Sequence, residues 1–598
     1  MCGIFFVFDN DNKITDDEIK NNANKCQIRG PDKTNFLKLN KNLTMGFHRL
    51  RINDLSLEGD QPMRDPDGDN IVLICNGEIY NYKKLALENK FNLNSQSDCE
   101  IILHLYKKYG IKKTISLLDG VFAFVLADLD KNRLFISRDP FGIRSLFVGY
   151  NCHNNSFGFA SELKSLDKLF TSVSPFEPSH FLEVDLEKIF AEGFYLFEKL
   201  KYYPSINGNK NLKEVNGLKK LLTFKELEKN KQKQDYLLPW LLDNYNYSKR
   251  FFDNFINCSL TDSEYEKYVT KMIYNYLNNA VKKRLLSNRP IGCLLSGGFD
   301  SSIITALVAK HFDRGELKTF SIGLEGSEDL KYARQVAEYL GTDHHEVIVS
   351  EKDMLDAIPD TIYTTETYDT TTIRASTPML LLSKYIKENT NVTVVFSGEG
   401  SDEASGSYMY FHNAPDDHEF QKETERLLSD LYMFDVLRCD KSTAGAGLEV
   451  RVPFLDLDFM NCYMRILPEF KNPKKYGVEK YLLRKAFSGL DLLPDSVLWR
   501  TKEGMSDGVS SQKRGWFEII QEFVDSEFTK PEFSQFLDKS YRHNNPKIKE
   551  SLYYRILFDK FFNKRDKILD YYWLPKWSGD ISDPSARVLD VYHDKIEI

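Results

Sequence analysis

The sequence predicts two domains of different fold class: a sheet-rich α+β domain over residues 2–195 and an α/β domain over residues 260–575. The first half contains short apolar or alternating runs separated by Asp-Gly, Asn-Gly and Phe-Gly turns, which is typical of antiparallel sheets. The second half repeats a strand–loop–helix pattern, which indicates a parallel sheet with ligands at the carboxyl ends of its strands. A chain of 598 residues is also too long for one hydrophobic core.

Composition excludes several functional classes. With 42% hydrophobic and 28% charged residues the chain is typical of globular proteins, and its net charge of −8 argues against a nucleic-acid-binding surface. Nine cysteines without a Cys-x-x-Cys pair favour free thiols in a reducing compartment over disulfides or a zinc module. No run approaches the ~18 apolar residues of a membrane span. We therefore expect a cytoplasmic protein without membrane or nucleic-acid partners.

Individual elements follow from the local patterns. In the first half we expect helices over 16–25 and 99–109 and strands over 71–74, 121–126 and 134–136. In the second half we expect strands over 290–295, 319–322, 345–349 and 392–396 and helices over 301–310, 328–340 and 379–387.

Residues 200–255 interrupt these patterns with polar, Lys- and Asn-rich sequence of low complexity. Such composition predicts a partly disordered linker or surface insertion. A partner-docking arm is the alternative interpretation. Residues 576–598 are predicted to be a C-terminal tail.

Cys2 directly follows the initiator methionine. Removal of Met1 would leave a cysteine with a free α-amine, whose pKa of roughly 7.7–8.0 suits it as the base that activates its own thiol. This arrangement is typical of N-terminal nucleophile hydrolases. The alternative is an ordinary buried cysteine in a first strand.

Two glycine-rich, acidic segments each follow a predicted strand. They are Ser296-Gly297-Gly298-Phe299-Asp300-Ser301-Ser302 and Ser397-Gly398-Glu399-Gly400-Ser401-Asp402-Glu403. Glycines allow close approach of the backbone to phosphate, helix N–H groups and hydroxyls bind anions, and Asp300 with Asp402 could hold Mg²⁺. Either segment alone could be a simple turn with a helix cap. No Gly-Lys-Ser/Thr occurs, so neither is a Walker P-loop.

Taken together, these segments and others along nearly the whole chain resemble the glutamine-hydrolysing asparagine synthetases. The matching segments are Met1-Cys2-Gly3-Ile4, Arg29-Gly30-Pro31-Asp32, His48-Arg49-Leu50, Asn76-Gly77-Glu78-Ile79-Tyr80-Asn81, Ser97-Asp98-Cys99-Glu100, Arg138-Asp139, both glycine-rich loops, Glu366-Thr367-Tyr368-Asp369, Thr371-Thr372-Ile373-Arg374-Ala375-Ser376, Arg451-Val452-Pro453-Phe454-Leu455-Asp456, Glu479-Lys480-Tyr481-Leu482-Leu483-Arg484 and Asp583-Pro584-Ser585-Ala586-Arg587. The resemblance implies an αββα N-terminal nucleophile domain followed by an ATP-pyrophosphatase-type domain.

The resemblance also implies a role for each matching residue. In the first domain the catalytic residues are Cys2, Asn76 and Gly77, and the glutamine-binding residues are Arg49, Asn76, Glu78 and Asp98. In the second domain Glu366 is the implied proton acceptor and Lys480 stabilises the α-phosphate. The ATP-binding residues are Leu295, Ser296, Gly297, Gly298, Asp300, Ser301, Ser302, Ile322, Ser397, Gly398 and Glu399; the Mg²⁺ ligands are Asp300 and Asp402; the aspartate readers are Asp369 and Arg374.

The implied reaction uses L-glutamine, L-aspartate and ATP, with Mg²⁺ as cofactor, and proceeds through β-aspartyl-AMP. Ammonia released at Cys2 would pass to the second site, and a homodimer is the family expectation. Three alternatives remain: a lactam-forming adenylating enzyme, an RNA-modifying ATP pyrophosphatase and a non-catalytic scaffold. The glutamine-site residues argue against the first, net charge and scattered cysteines against the second. Cys2 and both acidic loops argue against the third.

Several assigned residues also have a purely structural interpretation. Arg49, Asp98 and Glu366 could be solvated charges, and Lys480 could be an exposed helical partner of Tyr476 or Arg484. Asn76-Gly77 is also a strong signal for a hairpin turn.

Overall fold

The computed structural model describes residues 1–65, 68, 70–151, 153–187, 261–501, 504–562 and 564–592, and the backbone of a short strand at Lys219–Lys220. The chain divides into two units, Met1–Lys249 and Arg250–Ile598. Apart from the short strand, the predicted linker over 200–255 lies outside the described residues, so the domain boundaries stay predictions. Within the described ranges, none of the helices has both the length and the apolar character that a bilayer span requires.

The first unit is built on two antiparallel sheets. Its strands are β1 (Gly3–Phe8), β2 (Lys33–Lys38), β3 (Leu43–Arg49), β4 (Met63–Arg64), β5 (Ile71–Ile79), β6 (Gly120–Asp128), β7 (Arg133–Arg138), β8 (Phe147–Asn151), β9 (Ser156–Ala160), β10 (Ser172–Pro175), β11 (Phe181–Asp185) and β12 (Lys219–Lys220). One sheet has the order β10-β8-β9-β1-β3-β2 and the other β12-β11-β7-β6-β5-β4. The antiparallel, sheet-rich character predicted for this half is confirmed.

A hydrophobic core joins the two sheets, and alternation along the strands builds it. Ile4, Phe6 and Phe8 of β1 belong to this core, as do Val72 and Ile74 of β5. Because successive side chains of a strand point to opposite faces, every second residue contributes to the same core. Cys2, one residue before β1, packs against its edge.

Helices of the first unit are α1 (Asp16–Ala23), α2 (Tyr82–Asn89), α3 (Ile101–Tyr109) and α4 (Ile111–Leu117). The predicted helix over 16–25 ends at Ala23 and continues as a 3₁₀ helix, Asn24–Arg29. Another 3₁₀ helix, Asp98–Glu100, leads into α3, which buries Ile101, Ile102 and Leu105 and contacts β5.

The second unit contains a five-stranded parallel sheet, as its strand–helix alternation predicts. Its strands are β13 (Ile291–Leu294), β14 (Lys318–Gly323), β15 (Asp343–Ile348), β16 (Val394–Phe396) and β17 (Glu449–Arg451), in the order β15-β14-β13-β16-β17. All four neighbouring pairs are parallel. The carboxyl ends of β13, β14 and β16 therefore meet at one edge of the sheet.

Helices surround this sheet and extend beyond it. They are α5 (Asp262–Lys283), α6 (Phe299–Ala309), α7 (Glu328–Leu340), α8 (Glu351–Asp356), α9 (Ile358–Thr365), α10 (Thr370–Asn389), α11 (Ser401–Ser405), α12 (Asp417–Asp430), α13 (Asp435–Ala444), α14 (Leu457–Tyr463), α15 (Pro468–Lys471), α16 (Pro473–Tyr476), α17 (Tyr481–Phe487), α18 (Asp495–Leu498), α19 (Met505–Gly508), α20 (Trp516–Glu527), α21 (Pro531–Ser534) and α22 (Lys549–Phe561).

Helix α10 is much longer than the predicted helix over 379–387. Asp369 caps its first turn by accepting from the N–H and hydroxyl of Thr372, each at 2.8 Å. Thr377 donates its hydroxyl to the carbonyl of Ile373, so a polar first half is compatible with helix. The helix is buried on most sides and lacks the amphipathic stripe by which sequence patterns reveal helices.

Candidate functional sites

The first candidate site begins at Cys2, which lies beside the end of β3. The Leu50 N–H donates to Sγ of Cys2 at 3.4 Å, and the thiol lies 3.6 Å from the Leu50 carbonyl. Arg29 Nε donates to the Cys2 carbonyl at 3.0 Å, and Arg29 is itself paired with buried Glu162 at 2.6 Å. These contacts fix the backbone at residue 2 while the side chain stays half-buried.

Asn76 and Gly77 lie inside β5 and do not form the turn that the dipeptide favours. They pair with Ala123 and Phe122 of β6, and an added Cβ at Gly77 would lie 2.4 Å from the Val121 carbonyl oxygen. The Asn76 side chain is 1% exposed, and neither its Nδ2 nor its Oδ1 has a hydrogen-bond partner within the described residues. A buried, unpaired amide is costly, so Asn76 is a candidate contact for a bound ligand.

Arg49, at the end of β3, is buried and pairs with the segment that follows it. Its guanidinium donates to the carbonyls of Asp54 and Ser56 at 2.5 and 2.6 Å and to the Asp60 carboxylate at 2.5 Å. The predicted carboxylate reader is therefore held in a fixed orientation by residues 54–60.

Glu78 and Asp98 approach each other as two buried carboxylates. Asp98 accepts the Ile79 N–H at 2.5 Å, which ties the 3₁₀ helix at residue 98 to the end of β5. Asn53 donates from Nδ2 to Glu78 and, at 3.2 Å, to Asp98. No local sequence pattern marks Asn53, because it is a single polar residue in an otherwise ordinary loop.

The second candidate site is a cavity at the carboxyl ends of the parallel strands. The loop after β13 carries Ser296, whose N–H donates to Ser301 Oγ at 3.2 Å. The loop after β16 packs directly on the start of α6, since a Cβ at Gly398 would lie 2.7 Å from the Asp300 carbonyl carbon. Close backbone contact thus joins the two glycine-rich loops.

Most of the predicted ATP residues line this cavity. They are Leu295, Ser296, Gly298, Asp300, Ser301, Ile322, Ser397, Gly398 and Glu399, and the predicted residues Asp402 and Lys480 line it too. Gly297 and Ser302 are not among the lining residues. Gly297 has a φ of 74° and turns its α-carbon towards the backbone of Tyr332 and Ala333 in α7, where a side chain would clash. Ser302 is fully buried.

Lys480 joins the two acidic loops. Its Nζ donates to Asp300 Oδ2 and, at 2.6 Å, to Asp402 Oδ1. The Lys480 backbone is left-handed, with a φ of 60°, directly before α17. Such a conformation is unfavourable for a non-glycine residue and is concentrated at functional sites. Asp300 Oδ1 is buried without a hydrogen-bond partner in the described part of the chain.

Arg438 of α13 forms the second ionic centre of the cavity. It donates to Glu399 at 2.5 Å and to Asp435 at 2.9 Å. Burial raises the pKa of Glu399 above its ordinary value, while Arg438 opposes that rise. Arg500 pairs with Asp329 at 3.0 Å on the same cavity wall. Local sequence gave no signal for the pairs Arg438–Glu399 and Arg500–Asp329, because each joins segments that are distant in sequence.

Three further predicted residues, in addition to Gly297 and Ser302, do not line this cavity. Glu366 is fully buried and accepts a hydrogen bond from Lys441. Arg374 donates to Glu550 at 2.8 and 2.5 Å and to Asp583 at 2.8 and 2.9 Å, so it forms a bidentate pair with each carboxylate. Asp369 caps α10 and also accepts the Trp573 N–H at 2.9 Å, and burial raises its pKa to about 6.

The chain is similar to known proteins in both of its halves. A family model for the glutamine amidotransferase domain matches residues 1–204, and one for asparagine synthase matches residues 272–418 and 413–579. The chain is 40% identical over 609 residues to the glutamine-hydrolysing asparagine synthetases of Homo sapiens and Gallus gallus, covering 100% of each chain. The identity with the Bos taurus enzyme is 39% over 598 residues, covering 99% of both chains.

The chain belongs to the asparagine synthetase family. The resemblance drawn from the motifs is thereby confirmed, as is the fold class predicted for each half. Membership of the asparagine synthetases accounts for the presence of two chemically different sites in one chain.

Proposed function

We propose that the protein makes L-asparagine from L-aspartate and ATP, using nitrogen released from L-glutamine. The products are asparagine, glutamate, AMP and pyrophosphate. The observation that carries this proposal is the presence of both sites in a chain that matches asparagine synthetases over its full length. One site holds Cys2 and the Asn76 amide, which is unpaired as far as the described residues go, and the other joins two acidic loops through Lys480.

In the first site, the α-amine of Cys2 accepts the thiol proton after Met1 is removed, and the thiolate attacks the glutamine amide. The Asn76 Nδ2, which has no partner among the described residues, and the Gly77 N–H stabilise the resulting oxyanion. Its collapse releases ammonia and leaves a γ-glutamyl thioester on Cys2, which water hydrolyses to glutamate. Arg49 binds the substrate carboxylate. Its present partners hold the guanidinium in place for that contact. Glu78 and Asp98 bind the α-ammonium.

In the second site, the β-carboxylate of aspartate attacks the α-phosphate of ATP and pyrophosphate leaves. The serine hydroxyls and glycines of both loops bind the phosphates, and Leu295 and Ile322 supply the apolar wall. Lys480 exchanges part of its contact with Asp300 and Asp402 for the negative charge at the α-phosphate. Ammonia then attacks β-aspartyl-AMP, and AMP leaves.

Magnesium fits the pair Asp300 and Asp402. Mg²⁺ in nucleotide sites usually takes one or two carboxylates together with phosphate oxygens. Asp300 Oδ1 is buried and has no hydrogen-bond partner in the ranges that the structure describes, and the Lys480 ammonium already lies between both carboxylates as a cation would. When bound, the ion supplies charge neutralisation for the pyrophosphate leaving group. No group of three or more possible metal ligands occurs among the described residues, which is compatible with a metal held largely by substrate.

We assign the proton-acceptor role to Glu399 rather than to Glu366. Glu399 lines the cavity and its pKa is raised by burial, which favours proton uptake from ammonium during attack. Glu366 is engaged with Lys441 in a buried pair. Asp369 and Arg374 are assigned a positioning role, because they anchor α10, whose Thr371, Thr372 and Ala375 line the cavity.

Product analysis with amide-¹⁵N glutamine, aspartate, ATP and Mg²⁺ tests the proposal, with ¹⁵N ammonium replacing glutamine in a parallel reaction. We expect labelled asparagine in both, with AMP and pyrophosphate in matched amounts. The Cys2→Ala variant is the matched control, and it should use ammonium only. Folded protein lacking Met1 that forms no asparagine from either donor would contradict the proposed function.

A further inference from the structure

Asn53 occupies an unusual position between the two carboxylates of the first site. Its Nδ2 donates to Glu78 and, at 3.2 Å, to Asp98 Oδ1. The three residues are 8%, 4% and 3% exposed, respectively. Two buried carboxylates so close together repel each other, and the amide N–H groups offset part of that repulsion.

The orientation of the Asn53 amide follows from these partners. A carboxylate accepts hydrogen bonds, so the amide nitrogen must face Glu78 and Asp98. The carbonyl oxygen is therefore the atom of this amide that can accept a further hydrogen bond. Asn53 Oδ1 is buried and has no hydrogen-bond partner among the described residues. An unpaired buried acceptor is costly, so this oxygen is a candidate to accept a hydrogen bond from a ligand.

We propose that Asn53 is a further substrate-binding residue, whose Oδ1 accepts a hydrogen bond from the α-ammonium of glutamine. This inference rests on the proposed function of the first site. An ammonium group has three N–H donors and no acceptor, so a desolvated one requires about three acceptors. The carboxylates of Glu78 and Asp98 supply two of these acceptors, and Asn53 Oδ1 supplies the third. The Nδ2 of the same amide holds both carboxylates in place.

The chain order supports this assignment. Arg49, the proposed carboxylate reader, lies only four residues before Asn53, and its guanidinium holds the carbonyl of the next residue, Asp54. Residues 49–53 thus carry one proposed contact for the α-carboxylate of glutamine and one for its α-ammonium. The segment then selects amides that carry both an α-carboxylate and an α-ammonium.

The Asn53→Leu variant tests the inference, because leucine has a similar volume and no polar atoms. The substrates are glutamine and its analogue with hydrogen in place of the α-amino group. We expect kcat/KM for glutamine to fall about tenfold or more, mainly through KM. Hydrolysis of the analogue should change by less than about twofold. Glutamate carries an α-ammonium group and glutarate does not, so their inhibition constants give the same comparison without turnover. In Asn53→Leu only the inhibition constant for glutamate should rise.

Asn22→Leu is the matched control, because Asn22 is also 8% exposed and lies on α1 of the same unit. Equal losses on glutamine and its analogue would reduce Asn53 to a structural support and overturn the inference. An unchanged kcat/KM for glutamine would overturn it too. Ammonium-dependent asparagine synthesis serves as the folding check and should not change. Wild-type protein that makes asparagine from ammonium but hydrolyses no glutamine would overturn both this inference and the proposed role of the first site.

Discussion

The two sites differ in how their polar groups are satisfied before substrate binds. In the first, Asn76 is buried without a partner and Asn53 has one unpaired oxygen within the described residues. In the second, the charged side chains form ion pairs with each other: Lys480 with Asp300 and Asp402, and Arg438 with Glu399 and Asp435. The first site therefore presents neutral amide groups without partners among the described residues, whereas the cations of the second are already paired with carboxylates.

This difference matches the charges of the proposed substrates. The reacting amide of glutamine is neutral and gains negative charge only in the transition state, so unpaired donors can be held ready for it. ATP is a polyanion, and cations left unpaired in a buried cavity without it would be costly. Carboxylates therefore hold the lysine and arginine until phosphate replaces them.

The largest effect is expected where a compensated charge is removed. Lys480→Met leaves Asp300 and Asp402 facing each other without their shared cation and removes the proposed contact to the α-phosphate. We expect synthesis from glutamine and from ammonium to fall about 10³-fold or more, while glutamine hydrolysis persists. Pyrophosphate release and glutamate formation measure the two activities separately.

Lys485→Met is the matched control for that variant, since Lys485 lies on the same helix, α17, with its side chain exposed. It should leave both activities near wild type. A Lys480→Met variant that keeps more than about a tenth of the synthetase activity would remove Lys480 from the proposed chemistry.

A smaller but still large effect is expected from Asn76→Ala. Loss of one oxyanion donor costs about 2.7–4 kcal/mol, so kcat for glutamine hydrolysis should fall about 10²–10³-fold. Ammonium-dependent synthesis should not change. Because the Asn76 amide makes no hydrogen bond within the described residues, the melting temperature should stay the same or rise. A lower melting temperature with unchanged glutamine hydrolysis would mean that Asn76 has a structural role.

Glu399→Gln and Glu366→Gln form a pair that separates the two proton-acceptor assignments. We expect Glu399→Gln to lower ammonium-dependent synthesis about 10²-fold while ATP–pyrophosphate exchange persists. Glu366→Gln should mainly lower thermal stability, because Lys441 loses its buried carboxylate partner. If Glu366→Gln lowered synthesis in this way and Glu399→Gln did not, Glu366 would be the proton acceptor.

The same assignment predicts a pH dependence. Burial raises the pKa of Glu399 above its ordinary value of 4.5. A base must be ionised to accept a proton, so ammonium-dependent synthesis at a fixed concentration of free ammonia should fall as pH drops through that raised pKa. In Glu399→Gln this acidic limb should be absent, as measured from initial rates across the pH range.

The loops of the second site could be predicted because parallel strands bring their carboxyl ends to one edge. The glycine-rich segments 296–302 and 397–403 both follow such strands, and the structure joins them. The ionic partners could not be predicted in this way. Arg438 lies on α13 and pairs with Glu399, 39 residues earlier, so only the tertiary fold brings them together.

The first site shows the same limit at shorter range. Asn76-Gly77 favours a turn locally, yet pairing with β6 keeps it extended, and the close approach of Val121 requires the glycine. The short motif around Arg49 marked the carboxylate reader, whereas Asn53 gave no local signal. Its importance follows only from the meeting of Glu78 and Asp98, 25 and 45 residues away.

The smallest effect concerns a buried lysine whose hydrogen-bond acceptor is a neutral amide rather than a carboxylate. Lys471, at the end of α15, is 4% exposed and donates to Gln421 at 2.9 Å. Burial lowers its pKa from 10.5 to about 7. Between these values the unfolded chain binds a proton that the folded chain does not, so this residue makes stability rise with pH over that interval.

Lys471→Met should remove both the cost of burying the charge and its pH dependence. We expect the variant to be about 1–3 kcal/mol more stable than wild type near pH 6.5, with the gain shrinking as pH approaches 10. Thermal unfolding at a constant scan rate at several pH values measures the shift, with Lys485→Met as the exposed control. A pH-independent loss of stability would show that the hydrogen bond to Gln421 outweighs the burial of the charge. A buried lysine with a neutral partner would then be no less stable than the cavity cations Lys480 and Arg438, which are paired with carboxylates.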